Sequence, residues 1–241
     1  MNDALPDDRI AENLAAVRSR LAQAAAASGR SPDQITLVAV SKTFPIEAVR
    51  AAVAAGQRDF GENRVQEGLT KIDALGDIAG VRWHLIGHLQ SNKARKAARP
   101  FDVIHSIDAL ELLDRIDAAA VEQRRAPELL VQVDLAGEAT KFGAVPAIVR
   151  RLLDRAPSLQ AARIVGLMLI PPYFDNPEDT RPYFRRLREA REEWLRDGVD
   201  PAALRELSMG MSHDFEVAIA EGATIVRVGT AIFGRRQAPT T

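Results

Sequence analysis

Two hydrophobic rhythms alternate along this chain. Short, unbroken apolar runs rich in β-branched residues give way to longer stretches in which apolar residues recur every three or four positions. The first pattern suits strands buried on both faces, the second amphipathic helices. Ile10, Leu14, Val17 and Leu21 predict an N-terminal helix that stops at Ser28–Gly29. The predicted strands are then Ile35–Val40, Arg58–Phe60, Trp83–Ile86, Phe101–His105, Leu129–Val133, Ile164–Ile170, Glu206–Ser208 and Thr224–Val228. Helical periodicity fills the gaps. Pro45 opens one helix and Gly56 closes it. Val65, Leu69, Ile72 and Leu75 mark the next, and Gln90–Arg99 predicts a basic one. Asp108 and Glu111 suggest a capping box ahead of Leu110, Leu113 and Ile116. Val145–Asp154, a long stretch from Pro177 to Leu195, and His213–Ala220 complete the set.

Eight strand runs alternating with helices predict an α/β chain closed into a single (β/α)8 barrel with an extra N-terminal helix. An open doubly wound sheet is the competing architecture. No linker, repeat or low-complexity segment divides the sequence, and every helical stretch is needed to cover the barrel. Residues 1–241 are therefore expected to form one domain. A closed barrel has no free sheet edge, which favours a monomer.

Composition changes the picture mainly by exclusion. Hydrophobic residues at 46% can fill a large core, and a formal net charge of −1 asks for neither nucleic acid nor a membrane surface. The absence of cysteine removes disulfides, thiolate metal ligands and a thiol nucleophile. The start, MNDALPDDRIAENL, lacks the basic and apolar regions of a signal peptide, and no apolar run is long enough to span a bilayer. A cytoplasmic protein is the expectation.

Barrels of this kind carry their chemistry just past the C-terminal ends of the strands. There the sequence places Lys42, Asn63, Gly87-His88, His105-Ser106, Asp134, Pro171-Pro172-Tyr173, Met209-Gly210-Met211-Ser212 and Gly229-Thr230. Lys42 follows a wholly apolar strand. Partial desolvation there would lower its pKa and free its amine as a nucleophile, whereas a solvated strand-end lysine is the plain alternative. The loops after strands seven and eight, with Ser212, Gly229 and Thr230, suit a phosphate. Asp214 and Glu216 would oppose one unless turned away. Arg227 sits inside the last apolar run, where an arginine needs a partner. An anion, a ring nitrogen or a structural carboxylate could each serve. His84 and His88 are four apart, but the HLIGH stretch lacks the Glu of a zinc-protease helix and reads as a strand and turn, so a metal site with His105 is not expected. Gly229–Gly234 continues with Arg-Arg where a P-loop needs Lys-Ser/Thr. Lys93, Arg95, Lys96 and Arg99 are expected to form a solvated basic face.

The segments VAVSKTFP (38–45), DFGENRVQE (59–67), WHLIGHLQSNKAR (83–95), AGEATKFG (136–143), GLMLIPP (166–172), LSMGMSHDFEVAIAEGAT (207–224) and VRVGTAIFG (226–234) carry a resemblance over nearly the whole chain. Together they resemble the YggS/PROSC family of proteins that bind pyridoxal 5′-phosphate (PLP) and maintain its homeostasis. The resemblance implies a racemase-type, fold type III PLP barrel without the second domain of true alanine racemases. It implies PLP bound covalently as a Schiff base on Lys42, with Arg227 at the pyridine nitrogen. Ser212, Gly229 and Thr230 would hold the phosphate, Asn63 would lie against the cofactor, and Ile86 and Met209 would line the ring. Where the family carries an Asn-containing stretch after strand five, this chain has Val133-Asp134-Leu135-Ala136, so a role for that side chain does not carry over.

A guanidinium offers only donors, so Arg227 would keep the ring nitrogen unprotonated and make the ring a poorer electron sink. A second acid–base group is also not evident, since Tyr173 and Tyr183 are the only tyrosines. The resemblance thus favours a protein that buffers or delivers PLP, with PLP-requiring apo-enzymes as recipients. A PLP-dependent, racemase-like enzyme is the alternative, and a barrel enzyme using a metal or phosphate without PLP is a third class.

Overall fold

Eight parallel strands pair in chain order, and the last closes back onto the first. The computed structural model describes residues 7–135 and 142–234. The MNDALP start and residues 136–141 of the AGEATKFG stretch lie outside these residues. The strands are β1 (Thr36–Val40), β2 (Asp59–Glu62), β3 (Arg82–Leu85), β4 (Val103–Ile107), β5 (Glu128–Gln132), β6 (Arg163–Met168), β7 (Glu206–Met211) and β8 (Ile225–Val228). The α-helices are α1 (Asp7–Ala27), α2 (Ile46–Ala54), α3 (Val65–Leu75), α4 (Ala94–Ala97), α5 (Leu110–Gln123), α6 (Pro146–Arg155), α7 (Arg181–Arg196), α8 (Phe215–Ala220) and α9 (Thr230–Phe233). Among the described residues no helix is long and apolar enough to cross a membrane.

The apolar residues divide into two layers. One surrounds the barrel beneath the helices and contains the fully buried Phe60, Phe101, Phe184, Phe215 and Phe233. The other is a plug of Val38, Val103, Leu130, Val165, Met168 and Ile225, contributed by β1, β4, β5, β6 and β8. Residues alternate across a strand, so β5, for example, places Leu130 in the plug and Leu129 and Val131 in the outer layer. Both faces are therefore buried, and this is why the strands read as continuous apolar runs. The N-terminal helix α1 buries Ile10, Leu14, Val17, Leu21 and Ala25 and packs against α2, α8 and α9.

Several boundaries differ from expectation for identifiable reasons. Gly61 and Glu62 continue β2 where the sequence suggested a turn. His105 and Ser106 lie inside β4 and are fully buried; both ring nitrogens of His105 are hydrogen-bonded, which makes its burial tolerable, whereas Ser106 Oγ has no partner among the described residues. β7 runs on to Met211 through Gly210, whose φ of 91° accompanies a register shift against β8. This glycine forms a bulge, not a stop. A Cβ there would lie 2.6 Å from Ala218 Cβ, so α8 can close onto the strand only because none is present. The basic stretch forms only a 3₁₀ turn (Ser91–Lys93) and the single turn α4, since Ser and Asn compete for backbone groups and Pro100 disfavours helix before it. The Asp108 capping box does not form: Ala109 caps α5 without a side-chain bond. On α3 the fully buried stripe is Val65, Gly68, Lys71 and Leu75, with Leu69 and Ile72 only half-buried.

Candidate functional site

The lysine at the end of β1 is set by the strand's alternation. A Cβ on Gly61 would touch Val38 Cγ1, Val40 Cγ2 and Ile86 Cδ1, so these side chains share the barrel interior. Lys42 follows Val40 by two residues, just past the strand at the barrel mouth, and is half-buried. Its neighbours are clamped from behind. Ser41 Oγ donates to Glu62 Oε1 at 2.6 Å. Lys71 Nζ donates to the Ser41 carbonyl at 2.6 Å, to Glu62 Oε1 at 2.7 Å and to Glu67 Oε1 at 2.8 Å. Glu67 also accepts the backbone N–H of Thr43. Thr43 has φ of 68°, a conformation that costs a β-branched residue about 1–2 kcal/mol and persists only when its surroundings enforce it. Burial raises the Glu62 carboxyl above its ordinary range even though the Lys71 ammonium opposes this. In Glu67 the hydrogen bonds from Lys71 and Thr43 overcome the effect of burial and lower it.

Above the apolar plug lies a polar layer. Arg227, 4% exposed, donates to Ser208 Oγ at 2.6 Å and to the Leu169 carbonyl at 2.9 Å, and forms no ion pair among the described residues. The carboxylate partner that sequence left open is thus not used. Burial brings its guanidinium down to about 10, with Asp214 opposing. His105 Nδ1 lies 2.9 Å from Ser208 Oγ, and His105 Nε2 lies 2.9 Å from His84 Nδ1. His84 Nε2 in turn lies 2.9 Å from Asp59 Oδ1. Burial, reinforced by His84, Arg227 and Arg82, holds His105 well below the ordinary histidine range.

The turn after β8 sits beside β1. A Cβ on Gly229 would fall 3.2 Å from the Val40 carbonyl, which places this glycine two residues before Lys42 across the closing pair of strands. Ser212 Oγ accepts the N–H groups of Gly229 at 3.1 Å and Ala231 at 3.4 Å, drawing the β7 and β8 ends together, with Thr230 exposed next to them. The two acids of the α8 start are engaged elsewhere. Asp214 Oδ1 accepts from Met211 N at 2.7 Å, and Glu216 pairs with Arg20. Burial raises Asp214 above the usual carboxylate range. Asn63 lies past β2, packed so closely that a Cβ on Gly87 would stand 2.2 Å from its carbonyl. Its side-chain Oδ1 is buried and has no hydrogen-bond partner among the described residues.

The fold therefore brings Lys42, Gly229, Thr230 and Ser212 together at the junction of β1, β7 and β8, with Arg227 beneath them. Asn63 and Ile86 approach from β2 and β3. Met209 differs: it is fully buried in the layer beneath the helices, with Phe215 in the same cluster. Tyr173 is 76% exposed and stacks on His213, and Tyr183 packs against Phe174. His88 pairs with Asp108 and does not join His84 and His105. Sequence reasoning missed Ser208 and Lys71 as parts of this site. Lys71 left a signal, since it falls on the Val65, Gly68 and Leu75 stripe of α3 and can meet an acid only from inside. Ser208 left none.

A family model for the alanine racemase N-terminal domain matches residues 8–237. The pyridoxal phosphate homeostasis protein of Aquifex aeolicus is 45% identical over 226 residues, covering 94% of this chain and 98% of that one. The solved structure of PipY from Synechococcus elongatus with PLP bound is 45% identical with a TM-score of 0.82, covering 93% of this chain and 100% of that one. Alanine racemase from Streptomyces lavendulae aligns at TM-score 0.68 and 22% identity over 97% of this chain and 58% of that one, a likeness of fold alone.

Proposed function

The chain belongs to the pyridoxal phosphate homeostasis protein family, and from that membership we propose that it binds PLP at the mouth of its barrel, covalently through Lys42. The observation that carries this reading is the Ser212–Gly229 turn packed against Val40, two residues before Lys42, above a buried Arg227 with no ion pair among the described residues. The residues fit the cofactor. A buried Asn63 Oδ1 without a partner awaits a polar ligand, because leaving it unmet costs roughly 1–3 kcal/mol. Backbone N–H groups and hydroxyls of the β8 turn suit a phosphate, and Ile86 offers an apolar wall to a ring.

Bound, PLP supplies an electrophilic carbonyl carbon and an electron-accepting ring. The protein's part is to present the Lys42 amine to that carbonyl, anchor the phosphate with Ser212, Gly229 and Thr230, and orient the ring with Asn63, Ile86 and Arg227. The Met209 side chain lies in the outer layer, so its contribution to the ring wall would come through the strand backbone. Arg227 offers donors alone and leaves the ring nitrogen unprotonated, which suits retention of the cofactor better than carbanion chemistry. The protein accordingly buffers PLP and delivers it to apo-enzymes in the cytoplasm, acting as a monomer.

Titration of the purified protein with PLP, followed by visible absorption, tests this function. Saturable binding of one PLP per chain, with transfer to an added apo-enzyme, is the expected result. A chain that binds no PLP contradicts it.

A further inference from the structure

Ser208 Oγ stands between two partners, Arg227 Nη1 at 2.6 Å and His105 Nδ1 at 2.9 Å. The direction of each hydrogen bond in this layer follows from elementary chemistry, starting at the far end. Asp59 Oδ1 is an acceptor, so His84 carries its hydrogen on Nε2. Neutral His84 then presents Nδ1 as an acceptor, and His105 must donate to it from Nε2. Neutral His105 is left with an accepting Nδ1, and the Ser208 hydroxyl donates to it. The Ser208 oxygen has its lone pairs free for the guanidinium, which can only donate. The bonds run in one sense: Arg227 to Ser208 to His105 to His84 to Asp59.

The charges around the chain agree with this pattern. His105 is fully buried, which opposes a proton on it, and the charges of Arg227 from β8 and Arg82 from β3 oppose it further, with His84 beside it on β3. The Asp59 end is half-buried at the opposite rim, near Arg82. A second proton on His84 would make it a donor at both nitrogens. His105 would then accept at Nε2 and donate from Nδ1 to Ser208, and the hydroxyl hydrogen would lose its acceptor.

We propose that Ser208 is the positioning residue for Arg227: its hydroxyl, turned by neutral His105 and the His84–Asp59 pair below, fixes the pose in which the guanidinium meets the cofactor ring. This rests on the PLP reading above and extends it to residues that do not touch the cofactor. Ser208 accepts from a charged group, so its loss leaves the guanidinium held by the Leu169 carbonyl alone among the described residues.

Long-range ¹H–¹⁵N spectra of the whole protein, labelled at histidine, read the tautomers directly and need neither PLP nor a variant. His105 is expected to be neutral at pH 7, and both rings are expected to carry a hydrogen on Nε2. A hydrogen on Nδ1 of either ring, or a cationic ring, overturns the chain. With PLP as the probe, Ser208→Ala should raise Kd about tenfold and move the visible band of the bound cofactor, while Lys42 remains the site of attachment. His105→Gln keeps a carbonyl acceptor for the hydroxyl and should stay within about threefold of the unaltered protein, whereas His105→Leu should behave like Ser208→Ala. Unchanged Kd and band in Ser208→Ala refute the positioning role. Failure of the unaltered chain to bind PLP refutes the cofactor reading instead, and with it any role toward a ring, while the tautomers still decide the hydrogen-bond chain.

Discussion

Lys71 Nζ lies 2.7 Å from Glu62 Oε1, and both groups are buried beneath the strand end that carries Lys42. The same ammonium reaches the Ser41 carbonyl and Glu67, so one side chain ties α3 to the residues on either side of Lys42. Removing one member of such a pair leaves the other charge uncompensated, which is worse than never having had the pair.

Lys71→Met is therefore expected to destabilise the fold by about 3–5 kcal/mol in urea unfolding at pH 7. The sign with pH follows from Glu62. Its folded carboxyl is already raised by burial above the ordinary 4.5, and losing Lys71 raises it further. A raised carboxyl is best tolerated while protonated, so the variant should lose stability as pH rises from about 4.5. Adding Glu62→Gln should recover part of the loss. A Lys71→Met protein as stable as the parent at pH 7 would show that the clamp contributes nothing.

Asn63→Ala should separate binding from stability. With no partner for Oδ1, truncation sheds an unmet polar group, so the unfolding midpoint should hold or rise. PLP affinity should fall about tenfold, read by titration.

Glu221 supplies a prediction in acid. Burial opposes its ionisation, but hydrogen bonds from Arg185, Arg181 and Arg188 win and hold its carboxyl below the ordinary 4.5. A lowered carboxyl stabilises above the unfolded value, and that stability is lost as pH falls through the folded one. Glu221→Gln should thus cost about 1–3 kcal/mol at pH 7, and the gap from the parent should narrow below about pH 4.5.

The barrel was legible because its strands are buried on both faces and its helices on one, so the two periods alternate visibly from Ile35 to Val228. What misled was polarity inside strands. His105, Ser106 and Gly210 look like the ends of β4 and β7, yet they lie within them: His105 is held by side-chain hydrogen bonds and Gly210 sits at a bulge, which only three-dimensional pairing reveals. Lys42 and Arg227 stood out locally, one past an apolar run and one within it. Ser208 did not, since its importance comes from His105 and Arg227, 103 and 19 residues away in the chain. Lys71 was hidden by a stronger apolar repeat: Leu69 and Ile72 suggested a face of α3 that is only half-buried.

The central claim is that Lys42 holds PLP. Borohydride reduction of the PLP-loaded protein, followed by peptide mass mapping, tests it most directly. A pyridoxyl group on the peptide containing Lys42, absent in a folded Lys42→Ala variant, is the predicted result. A stable adduct in that variant, or on another lysine of the parent, would contradict it.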